Sequence, residues 1–67
     1  MKIKIEEVEI GQIVSVGWVE GGENFLAYGE ISDIKKDSII LAFNYFENIL
    51  IDCISIKKPS IVKVEYI

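Results

Sequence analysis

The sequence predicts an all-β fold, five or six short strands in an antiparallel meander that closes as a small barrel. Three observations lead there. Apolar residues alternate in "KIKI", "QIVSVGWVE" and "IVKVEYI" instead of recurring at helical spacing. Branched and aromatic residues fill these runs, as a pleated, half-buried surface prefers. Turn-forming clusters cut the chain into segments too short for anything but strands.

Taken in order, "KIKI" alternates and is the first candidate strand. The best helical candidate, "IKIEEVEIGQI", fits alternation better than a 3.6-residue period. "QIVSVGWVE" places Val14, Val16 and Trp18 on one face. "GGEN" is a turn, and "FLAYGEISDI" resumes the sheet with Gly29 in mid-strand. A glycine there marks either a sharp bend between barrel layers or the close approach of a ligand. "KKDS" is the next turn, "SIILAF" a buried strand, and "NYFEN" a turn flanked by asparagines. "ILID" follows, "CIS" reads as a tight corner, Pro59-Ser60 breaks the chain, and "IVKVEYI" is the closing strand. "KIKI" and "KVEY" suit one another as neighbours, because lysines in the first can face Glu65 in the second.

With 67 residues the chain is one domain, residues 1-67. A domain of that size buries only about 60% of its unfolded surface and needs help. Cys53 is the only cysteine and there is no histidine, so an intrachain disulfide and a Cys/His metal site are both excluded. Self-association is the remaining stabiliser. A hydrophobic content of 51% with net charge −4 excludes a disordered chain. All seven basic residues are lysines, so no guanidinium is present, and an acidic protein repels polyanions at long range. No apolar run approaches the ~20 residues of a membrane span, and "MKIKIEEVE" has no signal-peptide core. With a free thiol besides, a cytoplasmic location is expected.

The stretches "YGEISDIKKDSIILAF" and "ENILIDCISIKKP" resemble the bipartite pattern of Sm-like proteins, in particular the bacterial host-factor type of RNA chaperone. Gly29, Ile31, the run Ile39-Ile40-Leu41, Ile54-Ser55 and Pro59 fall on matching positions, across about residues 13 to 59. SH3-like barrels share most of this hydrophobic pattern. The resemblance implies a barrel that forms rings by adding one subunit's fourth barrel strand to another's fifth. The family's base-contacting lysine and histidine fall on Ile51 and Asp52 here. The aspartate expected after the bent strand falls near Lys35, and a strand replaces the N-terminal helix. The usual RNA pocket is therefore absent.

"ILIDCISI" is oily on both sides of a strand, which edge-to-edge assembly would select. Ile49, Leu50, Ile51, Cys53, Ile54 and Ile56 are accordingly the expected oligomer interface, with Asp52 a guard against misaligned pairing. Tyr45 and Phe46 stand in the "NYFEN" turn either as exposed anchors for a partner or as the end of a longer hairpin. Trp18 and Tyr28 face one another across "GGEN", completing the core or lining a pocket for a flat ligand. Lys35-Lys36 and Lys57-Lys58 are solubilising charges or, brought together by the barrel, a spot for phosphate. Glu6, Glu7 and Glu9 lack the spacing of a calcium loop and read as a solvated face.

Catalysis is not expected, since no histidine titrates near neutrality and nothing activates Cys53. No cofactor or metal is expected either. The leading expectation is a non-enzymatic, homo-oligomeric binding module that captures a protein partner or small ligand. Small acidic proteins of this kind are often inhibitors encoded by phages or mobile elements. The alternatives are single-stranded RNA binding of the Sm-like type, with Tyr28 or Phe43 stacking on bases, and a structural subunit of a larger assembly.

Overall fold

A computed structural model describes the backbone of residues 2–46 and 49–67, and the side chains of residues 2–42 and 52–67. It contains six strands: β1 (Lys2–Ile3), β2 (Ile13–Glu20), β3 (Glu23–Ile34), β4 (Ser38–Phe46), β5 (Ile49–Lys57) and β6 (Ile61–Tyr66). Every pairing is antiparallel, in the order β1-β6-β2-β3-β4-β5. Among the described residues the only helical pieces are two three-residue 3-10 turns, Ile5–Glu7 and Lys58–Ser60.

The alternation in the sequence builds the core. Val14 and Val16 of β2, Ile31 of β3, Ile39 and Leu41 of β4, Ile56 of β5 and Val64 of β6 pack into one cluster, each at most 3% exposed. Five strands can share a single core only if the sheet curls around it, which gives the barrel-like shape. Each fully buried isoleucine or leucine contributes roughly 1.5–3 kcal/mol by leaving water.

Gly21 and Gly22 close the β2–β3 hairpin with φ of 59° and 80°. Two successive positive φ values define the type I′ turn, whose twist matches the strands it joins. "GGEN" is thus shorter as a turn than expected, and Glu23 and Asn24 belong to β3. At Gly29 of β3 a Cβ would collide with the carbonyl oxygen of Ala42 and lie 3.2 Å from Leu41 Cγ. The glycine makes room for the close approach of β4, where the sequence suggested a bend or a ligand. Just beyond, the β3–β4 register slips between Ile31 and Asp33.

β1 pairs with β6 as the charges suggested, Lys2 opposite Glu65 and Ile3 opposite Val64. The strand stops there. Ile5–Glu7 turns as a 3-10 helix in place of the rest of "KIKI", with the Lys4 amide donating to the Glu7 carboxylate at 3.2 Å. The corner expected at "CIS" is absent, because β5 runs unbroken from Ile49 to Lys57. The irregularity sits in β4 instead, on both sides of Asn44.

Candidate functional site

Trp18 ends the inner stripe of β2, half-buried against the core, and the hairpin register sets it opposite Phe25. The two rings stack with centroids 5.4 Å apart and planes 19° from parallel. Beside Trp18 lies a pocket of about 220 Å³ lined by Trp18, Glu20, Ser55, Lys57 and Ser60. Among the described residues the sole ion pair is Lys63–Glu65, so the Glu20 carboxylate and the Lys57 ammonium are not engaged with one another. Chemically, the pocket offers an aromatic wall, one cation, one anion and two hydroxyls to a small polar group.

Backbone bonds gather the lysine pairs at this end. The Lys35 amide donates to the Ser38 carbonyl at 2.8 Å and the Lys58 amide to the Asp37 carbonyl at 2.8 Å. Ser38 pairs with Lys57 in the β4–β5 ladder. The β3–β4 turn carrying Lys35 and Lys36 therefore adjoins Lys57 and Lys58, and Lys57 lines the Trp18 pocket.

Other sequence expectations are redistributed. Tyr28 is not opposite Trp18. It pairs with Ser15 and points away from the core, 57% exposed. The physical reason is the two-residue turn, which pairs Glu20 with Glu23 and so sets Phe25, three residues before Tyr28, opposite Trp18. Phe25 was missed for the same reason, and a type I′ reading of the double glycine would have found it. Glu20, Ser55 and Ser60 carry no sequence signal of their own. Tyr45 and Phe46 belong to β4, their backbones paired with Leu50 and Ile49, so they are not in a turn. Their side chains lie outside the described residues, as do those of Ile49, Leu50 and Ile51.

At the expected interface, Ile56 is a core residue, 2% exposed, and Ile54 packs partly against the same cluster. Strand alternation sends Cys53 the other way, where it is an exposed thiol. β5 nonetheless ends the sheet and pairs only with β4, leaving its outer edge open among the described residues. The far end is partly closed, because β1 covers β6 only at Val64 and Glu65. Glu6, Glu7 and Glu9 are exposed. Among the described residues no helix is long and apolar enough to cross a membrane.

The fold defines the class, a small all-antiparallel β domain with a barrel-like core. Compared with known proteins, the chain matches no protein-family model, no curated protein and no solved structure.

Proposed function

We propose that the protein is a non-enzymatic, cytoplasmic binding module that assembles with copies of itself and captures a protein partner or small ligand beside Trp18. The observation that carries this reading is the pocket itself, in which Glu20, Lys57 and two serines line an aromatic wall, with no ion pair between Glu20 and Lys57. Binding sites commonly combine such a wall with a few polar groups that fix orientation. The open edge of β5 supports the self-association, in keeping with the Sm-like pattern of its sequence.

Native mass spectrometry of the protein purified without nuclease tests both parts. A defined oligomer that holds a ligand or protein partner, and loses it on Trp18→Ala with the fold intact, is the expected result. A bare monomer overturns the assembly. Retention by the Trp18 variant overturns the site.

A second reading is single-stranded RNA binding, favoured by Lys57 beside Trp18 and by the neighbouring Lys35, Lys36 and Lys58. Stacking on the indole with phosphate at the lysines would supply its chemistry. It predicts affinity that falls steeply with salt and is abolished by Lys57→Glu with Lys58→Glu.

A further inference from the structure

The outer surface of the β6–β2–β3 sheet faces away from both the core and the Trp18 pocket. Strand alternation puts Ser15, Gly17 and Val19 of β2 there, with Leu26 and Tyr28 of β3 and Lys63 and Glu65 of β6. The register arranges them in rows, Glu65 beside Ser15 beside Tyr28, then Lys63 beside Gly17 beside Leu26. A β-bulge at Gly17/Trp18 adds Val62, whose Cγ2 lies 3.9 Å from the place a Gly17 Cβ would occupy. Ile13, Leu26, Tyr28 and Val62 are 50%, 55%, 57% and 69% exposed. An antiparallel sheet with one face on the core ordinarily turns polar residues to water on the other. Here the outward positions of β2 and β3 are mostly apolar or small.

The charges on this face identify its occupant. Lys63 and Glu65 form an ion pair at 2.9 Å. Lys2, paired with Glu65, and Glu30, paired with Ile13, sit at its margins. Two lysines thus balance two glutamates in a protein whose net charge is −4. Balanced charge on this face leaves no like-charge repulsion across it when two copies meet there. A two-fold axis lying in the plane of the contact and running across the strands reverses the rows and brings each Lys63 toward the other copy's Glu65.

We propose that this face is a homodimer interface in which the β6–β2–β3 sheets of two copies pack against each other around Leu26 and Tyr28. This contact is separate from strand-edge assembly, and either can exist without the other.

Sedimentation equilibrium of the whole protein tests it. The wild type should dimerise, and Leu26→Lys with Tyr28→Lys should weaken the dimer by about a hundredfold or more, with an unchanged circular dichroism spectrum. A wild type that stays monomeric at millimolar concentration overturns the proposal. So does association of undiminished strength in the folded double variant, which would leave the edge contact as its source. Should that variant not fold, cross-linking decides. In a Cys53→Ser background, Ser15→Cys should be joined to its symmetry mate by a short bismaleimide, and absence of that product in an associating sample overturns the proposal.

Discussion

Gly29 lies so close to the carbonyl of Ala42 that a side chain has no room between β3 and β4: a Cβ would sit 3.0 Å from the Ala42 carbonyl carbon and closer still to its oxygen. Backbone cannot step aside as a flexible side chain would. Gly29→Ala should therefore cost about 1–3 kcal/mol, read as a lower urea midpoint at unchanged slope. Gly17→Ala is the control. Its methyl would meet ordinary contacts of 3.7–3.9 Å, and the change should stay within about 1 kcal/mol. Equal stability of Gly29→Ala and wild type would refute the close crossing.

The stacked Trp18 and Phe25 supply an optical test, because Trp18 is the only tryptophan. Phe25→Ala uncovers one face of the indole to water. Its fluorescence should shift to the red and stability should fall by about 0.5–1.5 kcal/mol for the lost ring contact, with some further loss of buried area. Unchanged emission would mean that the rings are not stacked in solution.

Ile56 and Cys53 test which way β5 faces. Ile56→Ala empties a core position and should cost about 2–5 kcal/mol. Cys53→Ser, at an exposed thiol, should change stability by no more than about 0.5 kcal/mol. The reverse ranking would require β5 to be rotated by one residue, sending its whole side-chain pattern to the opposite face.

The pH response of the Lys63–Glu65 pair has a definite sign. The hydrogen bond, and then the charge of its partner, raises the Lys63 pKa and lowers that of Glu65. Glu65, depressed on folding, contributes stability present above its unfolded pKa of about 4.3 and lost as pH falls through its folded value. Lys63, raised on folding, contributes stability present below about pH 10.4 and lost as pH climbs through its folded value. The pair is exposed, so the contribution is small and screened by salt. Carboxyl-carbon NMR should show Glu65 titrating below its unfolded value, and Lys63→Met should return it toward that value. Titration of wild-type Glu65 at its unfolded value would remove the pair.

The strand count and much of the core were legible, because alternation places Val14, Val16 and Trp18 together and the apolar run "SIILAF" marks the strand of Ile39 and Leu41 as buried. Gly29 was legible as a position that excludes a side chain, but the reason, the close approach of β4, was not. Pairing registers were less so. The length of the glycine turn decides which residue of β3 meets Trp18, and only the two-residue turn at Gly21 and Gly22 brings Phe25 there. The pocket was not legible, since Glu20 of β2 is far in the chain from Ser55 of β5 and Ser60 of the second 3-10 turn, and they meet only after the sheet curls. Ile56 went astray because a strand oily on both sides gives no sign of which side is the core.

The hydrogen bond from Gln12 to the Tyr66 hydroxyl joins residues 54 positions apart, at the site where β2 receives β6. The first long strand of the sheet thus keeps one edge unsatisfied until nearly the whole chain has emerged and the last strand has come back to it. A nascent or C-terminally shortened chain carries that bare edge, with Val14 and Val16 beside it, into contact with any other unpaired strand. Folding is therefore governed by a late, long-range closure, slow for a protein of this size, and the interval before β6 docks is when the chain is most exposed to aggregation.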